Sequence, residues 1–276
     1  LIEELTGIKV QYKHWLAGKK RWLMGVADAL TRLDIKELRT IIFPWQDTFV
    51  CVGSIINRAD RNSKIWGAGF MNEFEAFRGG DTYAVRGAFT NDKLKRSGFS
   101  GCDPSGDPPL VLPLWIKPNI NKIHKLGIIP HWKEVDFFKE HYGKDYHIID
   151  LRTDDIEGVV EEISSCVKIL STSLHGLIVG QAYSVPSLWI KKGYIDNDGF
   201  KFNDYFSSVN IPPYDGFEDI EGILEEQANW EALFAKNINK GKINTSLAKI
   251  QSDLLRSAPF PLKNKYRRFI QQTAGA

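Results

Sequence analysis

Residues 172–176 carry the side chains best suited to chemistry on a small anion. This segment, Thr172-Ser173-Leu174-His175-Gly176, lies between a predicted buried strand and a predicted helix. The first backbone N–H groups of a helix have no acceptor within the helix, so its start can bind an anion. His175 can exchange a proton near neutral pH, and Gly176 allows a ligand to approach the main chain. A simpler interpretation stays open, in which Thr172 or Ser173 only caps the helix and His175 is a polar neighbour.

Three other polar side chains are candidates for the same site. Arg86 ends a predicted strand and could hold a carboxylate or phosphate through two hydrogen bonds, although a surface ion pair also explains it. His131 ends a strand of the same predicted sheet as His175, although a structural role is equally open. Lys201 is flanked by aromatic residues, and its alternative is a solvated loop lysine. Gly67-Ala68-Gly69 follows a strand as a nucleotide loop would, but a tight turn explains it as well.

The elements that must position these residues alternate between short apolar runs and helical patterns. Strands are predicted at residues 9–12, 49–53, 64–69, 82–86, 126–130, 146–151, 167–171 and 187–190. Helices are predicted at residues 90–97, 135–142, 155–166 and 175–183, with Thr90 and Asp155 as N-terminal caps. This alternation indicates parallel sheets covered on both faces, whose ligands bind at the carboxyl ends of the strands.

A Gly/Pro/Asp-rich stretch at residues 101–109 marks the best domain boundary. We therefore predict an α/β fold of two Rossmann-like domains facing across a cleft, with parallel sheets and helices on both faces. Residues 1–108 are predicted to form the first domain and residues 109–215 the second. Residues 216–276 are predicted to be charged helices that pack on the domains or cross between them.

Composition narrows the function classes. The 276 residues include 36 Lys and Arg against 34 Asp and Glu, a net charge of +2, which argues against bulk binding to nucleic acid. The 43% hydrophobic and 25% charged content is that of a soluble globular protein. Cys51, Cys102 and Cys166 are too scattered for a disulfide framework or a zinc site. No apolar run approaches the ~20 residues that cross a bilayer, so a cytoplasmic protein is expected.

Seven segments, taken in chain order over about residues 50 to 206, resemble the polysaccharide pyruvyl transferase family. They are Val52-Gly53-Ser54-Ile55-Ile56, Ile65-Trp66-Gly67-Ala68-Gly69-Phe70, Val85-Arg86-Gly87, Gly106-Asp107-Pro108-Pro109, Gly127-Ile128-Ile129-Pro130-His131-Trp132, residues 171–179 and Lys201-Phe202-Asn203-Asp204-Tyr205. The resemblance implies a GT-B-like fold with the acceptor on the first domain and phosphoenolpyruvate on the second. It also implies transfer of the pyruvyl unit to a sugar as a ketal, with no metal and no cofactor besides the donor substrate.

The resemblance also implies roles for the candidate residues. His175 would be the general acid, and His131 would deprotonate the acceptor hydroxyl. Arg86 and Lys201 would hold the donor's charges, assisted by the turn at Ser173, Leu174 and Gly176. Two departures stand out. By comparison with the family, the first domain is expected to lack its first strand and the Asn-Phe-Gly-Asp type loop in this sequence. Ser173 stands where many members have arginine before the Leu-His pair.

The expected partners follow from the same resemblance. The acceptor would be a sugar of a capsular polysaccharide or exopolysaccharide, or of its lipid-linked precursor at the inner face of the membrane. A C-terminal basic cluster could then meet lipid phosphates, or simply be a solvated helix face; it comprises Lys263, Lys265, Arg267 and Arg268. Two other functions stay open, namely a GT-B glycosyltransferase using a nucleotide sugar and a non-catalytic polysaccharide-binding subunit. The sequence does not indicate the oligomeric state.

Overall fold

Two parallel β-sheets and the helices around them make up the protein, which the computed structural model describes at residues 1–10, 19–33, 35, 48–193 and 198–274. In chain order the elements are α1 (Ile2–Thr6), α2 (Lys19–Thr31), β1 (Thr48–Val50), β2 (Ser63–Trp66), β3 (Asp81–Ala84), α3 (Ala88–Arg96), β4 (His124–Ile129), α4 (Val135–Tyr142), β5 (His147–Ile148), α5 (Ile156–Ser165), β6 (Cys166–Ser171), α6 (Leu174–Ala182), β7 (Ser187–Trp189), α7 (Phe200–Ser208), α8 (Ile220–Glu225), α9 (Gln227–Lys236), α10 (Leu247–Arg256) and α11 (Asn264–Ala274). Single 3₁₀ segments lie at Ile56–Arg58 and Pro108–Leu114.

The sheets confirm the predicted α/β class. The first has the order β1-β2-β3 and the second β5-β4-β6-β7, and all the pairings are parallel. In the second sheet Ile129 of β4 is paired with Ser171 of β6, so both strands end at one edge. With only three and four strands, the sheets do not establish two complete Rossmann-like domains facing across a cleft, and that arrangement stays a prediction.

One apolar core joins the two sheets. Trp66 of β2, Trp189 of β7 and Tyr205 of α7 are all buried in it, together with Leu254 of α10. The indole Nε1 of Trp66 donates a hydrogen bond of 2.8 Å to the carbonyl oxygen of Leu254. The C-terminal helices therefore pack directly against the first sheet, and burial of these large rings stabilises the contact between the two halves of the chain.

Several predicted boundaries agree with the structure, and one cap is wrong. The predicted helix at residues 135–142 is α4, and Asp155 caps α5 by accepting a bond from the Gly158 amide. Thr90 is not the cap of α3, because the helix starts after Gly87 and Thr90 lies buried within its first turn. Of the predicted strand at residues 9–12, the first two residues have no regular structure, and the others lie outside the described residues.

The Gly/Pro-rich stretch packs against the first sheet. Gly106 donates its amide to the Val85 carbonyl oxygen at 2.8 Å, and Ser105 forms an isolated parallel bridge with Val85. The stretch therefore extends the sheet edge that begins at β3 before the chain passes to the second sheet. The domain limits at residues 108 and 215 stay predictions.

Two residues of the C-terminal basic cluster form ion pairs with the first helix. Glu4 accepts Lys263 Nζ at 3.3 Å and Lys265 Nζ at 2.6 Å, and it also accepts a hydrogen bond from the Tyr266 hydroxyl. The hydrogen bond from Lys265 is the main cause that lowers the pKa of Glu4 to about 2. The membrane role of the cluster stays a prediction. Throughout the described ranges, each helix is either too short or too polar to traverse a bilayer.

Candidate active site

A serine at the end of β6 holds the turn between β6 and α6 in place. Ser171 Oγ donates to the Ile129 carbonyl oxygen at 2.7 Å and accepts the Ser173 amide at 3.0 Å. Ser173 occupies the N-cap position, but its hydroxyl makes no capping hydrogen bond to the described residues. The first-turn amides of α6 are therefore not bonded to a Ser173 cap. The simpler interpretation, in which Ser173 only caps the helix, is wrong for this residue. Leu174 packs its side chain into the main core, and that its amide meets a ligand stays a prediction.

Gly176 has a packing reason of its own. A Cβ at this position would lie 2.5 Å from Ser171 Oγ and 2.8 Å from Ile129 Cγ2. The bare backbone therefore lets α6 sit close on the second sheet. That the Gly176 amide also meets a ligand stays a prediction.

A buried hydrogen-bond chain connects the ends of β4 and β6. The His131 amide donates to Thr172 Oγ1 at 2.7 Å, and Thr172 Oγ1 in turn donates to Glu134, whose side chain is fully buried. His131 and the turn with His175 therefore end neighbouring strands at one sheet edge. Glu134 was not predicted from the sequence, because an acid before an apolar helix looks like an ordinary first-turn residue.

His175 faces the first sheet. A Cβ on Gly53, which follows β1, would lie 3.6 Å from His175 Cε1. The ring nitrogen Nε2 is buried and has no hydrogen-bond partner among the described residues. Burial, then repulsion from Arg86 and Lys201, lowers the pKa of His175 to about 4. The imidazole is therefore neutral at pH 7 in the free protein, whereas the sequence suggested a proton near neutrality.

Arg86 is fully buried and its donors are engaged within the protein. Nε donates to Asp204 Oδ2 at 2.9 Å, Nη1 donates to Ser54 Oγ at 2.7 Å, and Nη2 donates to the Phe70 carbonyl oxygen. The interpretation as a surface ion pair is wrong, since the pair with Asp204 has no exposed side-chain area. Because its N–H groups are already bonded, Arg86 acts on the site through its positive charge and not through a pair of free N–H donors.

Asp204 joins α7 to the end of the first sheet. Besides Arg86, it accepts the Thr90 amide at 2.8 Å through Oδ1 and the Thr90 hydroxyl at 2.7 Å through Oδ2. A Cβ on Gly69 would meet the Arg86 guanidinium, and a Cβ on Gly87 would overlap the Asp204 carbonyl oxygen. The two glycines therefore make room for a buried ion pair that the sequence did not reveal.

Lys201 lies in α7 rather than in a loop and is only 4% exposed. Its Nζ lies 5.1 Å from the centroid of the Phe202 ring. Burial and repulsion from Arg86 lower the pKa of Lys201 to about 8, against the attraction of Glu134. Burial, followed by repulsion from Lys201 and Lys133, also lowers the pKa of His131 to about 4. Arg86 and Lys201 repel the charged form of His175, and Lys201 repels that of His131. We call these four residues the cation cluster, in which both histidines are neutral at pH 7.

Asp107 is a further buried acid that the sequence analysis did not single out. Neither carboxylate oxygen has a hydrogen-bond partner in the described part of the chain, and the residue is fully buried. Burial raises the pKa of Asp107 to about 7. The attraction of Arg86 acts to lower this pKa, and repulsion from Asp204 acts to raise it. In a Gly/Pro-rich stretch an aspartate looks like a turn residue, so only its tertiary neighbours distinguish it.

Replacing Asp107 with asparagine should stabilise the protein above neutral pH. The folded-state pKa near 7 exceeds the unfolded value of about 3.9, so the folded protein binds the extra proton and loses stability as pH rises between these values. Three pKa units correspond to roughly 4 kcal/mol, the largest gain expected for Asp107→Asn at pH 8. Urea unfolding of both proteins at pH 5 and pH 8 measures this difference, and an equal difference at the two pH values would contradict the assignment.

Two surface grooves lie apart from the cation cluster. One, of 420 Å³, is lined by Glu73, Phe89, Asp92, Lys95, Arg96 and Phe200. The other, of 320 Å³, opens at the amino ends of β4 and β5 and includes His124, His147 and Trp230. None of the residues predicted for the site lines either groove.

The fold and site define an α/β protein with a cation cluster near the carboxyl ends of parallel strands, and its sequence is similar to parts of two other proteins. It is 32% identical over 175 residues to uncharacterized protein L143 of Acanthamoeba polyphaga mimivirus, covering 59% of this chain and 60% of that protein. It is 26% identical over 184 residues to the succinoglycan biosynthesis protein ExoV of Rhizobium meliloti, covering 62% of this chain and 56% of that protein. The chain thus spans less than two thirds of either relative. No family model and no solved structure matches it.

Proposed function

We propose that this protein is a transferase of polysaccharide biosynthesis that moves the pyruvyl group of phosphoenolpyruvate onto a sugar as a ketal. The observation that carries the proposal is the cation cluster, in which His175 lies in the first turn of α6 and its charged form is repelled by Arg86 and Lys201. Similarity to a succinoglycan biosynthesis protein supports the polysaccharide part of the proposal. The acceptor is a sugar of a surface polysaccharide or of its lipid-linked precursor.

Phosphoenolpyruvate carries negative charge that the cations of the cluster attract. Its phosphate carries about −1.5 to −2 at pH 7 and its carboxylate adds a further charge. The lowered pKa values of His175 and Lys201 reflect burial and the repulsion of neighbouring cations. A multiply charged anion relieves that repulsion, and the first-turn amides of α6 add donors at the positive end of a helix. Arg86 contributes charge while remaining bound to Asp204.

The chemistry assigns one proton transfer to each histidine. His175, charged once the anion is bound, gives a proton to the terminal CH₂ carbon, which becomes a methyl group and leaves a positive charge on the adjacent carbon. A sugar hydroxyl attacks that carbon and its proton passes to His131. The C–O bond to phosphate then breaks, the second hydroxyl attacks the same carbon to close the ketal, and its proton passes to the departing phosphate. The amides of Leu174 and Gly176, beside Ser173, hold the departing phosphate.

Incubation with phosphoenolpyruvate and a panel of glycosides tests the proposal. We expect release of inorganic phosphate together with the mass gain of a pyruvyl ketal on at least one glycoside, without added metal. Parallel reactions with nucleotide sugars are the control. Glycosyl transfer from a nucleotide sugar, with no product from phosphoenolpyruvate, would replace this proposal by the glycosyltransferase alternative.

A further inference from the structure

An exposed tryptophan adjoins the cation cluster. Trp132 is 58% exposed and directly follows His131, whose amide is tied to Thr172 at the carboxyl edge of the second sheet. An indole carries a large apolar face, and leaving it in water forgoes the stabilisation that burial would give. Because Trp132 directly follows a residue of the cation cluster, its exposed ring adjoins the candidate active site.

The surroundings of Trp132 differ from those of Phe49 and Phe99, two other exposed aromatic residues. Phe49 packs edge-on against Phe260 with 5.7 Å between ring centroids, and Phe99 packs against Phe77 at 4.8 Å. The ring of Trp132 instead has polar neighbours. The His131 ring lies 5.7 Å away, tilted by 42°, and Lys133 Nζ lies over the indole ring, 5.4 Å from its centroid.

We infer that Trp132 is a stacking platform for a pyranose ring of the acceptor saccharide, with His131 and Lys133 positioned at its hydroxyls. This inference rests on the proposed function, which assigns His131 to the acceptor hydroxyl. A pyranose presents C–H groups on one face and hydroxyls at its rim. The electron-rich indole face suits the C–H groups once the sugar takes the place of the Lys133 ammonium over the ring, and the imidazole and the displaced ammonium then suit the rim. The acceptor would thus also contact the second sheet, beside the donor.

Binding of simple glycosides separates this role from catalysis. The probes are the methyl pyranosides of glucose, galactose and mannose, followed by saturation-transfer NMR and titration. Trp132→Ala should weaken the best of them roughly tenfold, and Trp132→Phe should retain part of the affinity. Phe74→Ala, which removes a ring that is 82% exposed, is the matched control and should change nothing. Phosphoenolpyruvate binding, measured by thermal shift, should be the same in all four proteins.

The outcomes distinguish the two proposals. If Trp132→Ala weakens glycoside binding while neither the wild type nor any variant forms a ketal, the proposed platform stands and the proposed pyruvyl transfer fails. If ketal forms and the KM for glycoside is equal in wild type and Trp132→Ala, the platform is wrong and the transfer stands. Failure of the wild type to bind any of the three glycosides would also overturn the platform.

Discussion

Replacing His175 with glutamine will lower kcat for pyruvyl transfer by roughly 10²- to 10⁴-fold, the range that loss of a general acid or base produces. Glutamine keeps a polar group of similar reach but cannot deliver a proton to carbon. Because His175 Nε2 has no hydrogen-bond partner in the described chain, the change removes no hydrogen bond at that atom and the variant should fold. Steady-state kinetics with phosphoenolpyruvate and the best glycoside, together with thermal unfolding, measure both expectations.

The charge state of His175 gives this prediction a second readout. Its pKa of about 4 in the free protein means that it is neutral at pH 7. A bound anion favours the charged imidazole and raises that pKa, so binding of phosphoenolpyruvate should take up protons at pH 7, and affinity should fall as pH rises through the bound-state value. Calorimetry in two buffers with different heats of ionisation counts these protons. His175→Gln should take up fewer than the wild type.

A histidine outside the cluster provides the control. His141 lies at the end of α4, is exposed, and contacts the Phe137 carbonyl oxygen through Nδ1. His141→Gln should keep wild-type kcat and wild-type proton uptake. A His175→Gln protein that retains near-full kcat would remove His175 from the mechanism. Unchanged proton uptake in that variant would instead assign the titrating group to His131 or Lys201.

The sequence could predict the parts of the site that local pattern and topology determine. The apolar runs of β4 and β6 indicate parallel strands, and parallel strands must end at one edge. That rule places His131 and the turn with His175 at one edge of the sheet, and the structure adds that their strands are neighbours. Hydrophobic periodicity and the terminal glycine likewise give the bounds of α4.

Contacts between distant segments determine the rest. Arg86 and Asp204 are 118 positions apart, so nothing near either residue reveals the buried pair. The burial of Lys201 follows from the docking of α7 and not from its neighbours in sequence. The wrong cap at Thr90 has the same origin. Asp204 accepts the Thr90 amide in the first turn of α3, so a side chain from another helix replaces the local cap.

Replacing Gly87 with alanine should strongly destabilise the protein, because it disrupts the docking of α7 on the first sheet. Gly87 has an extended backbone with φ of −162°, which alanine adopts freely, so strain is not the cause. The added Cβ would overlap the Asp204 carbonyl oxygen and lie 2.7 Å from Oδ1. Main-chain atoms cannot rotate away, so α7 must shift and weaken the buried Arg86–Asp204 pair.

Breaking a buried ion pair costs about 3–5 kcal/mol, against a typical total stability of about 5–15 kcal/mol. We therefore expect Gly87→Ala to unfold at much lower urea concentration or to fail to fold. Gly98→Ala is the matched control, because its φ of +81° strains alanine by about 1–2 kcal/mol while no atom lies within 4 Å of the new Cβ. Urea midpoints of the two variants decide the matter. A loss for Gly87→Ala no larger than that for Gly98→Ala would show that α7 is not held to the first sheet by this contact.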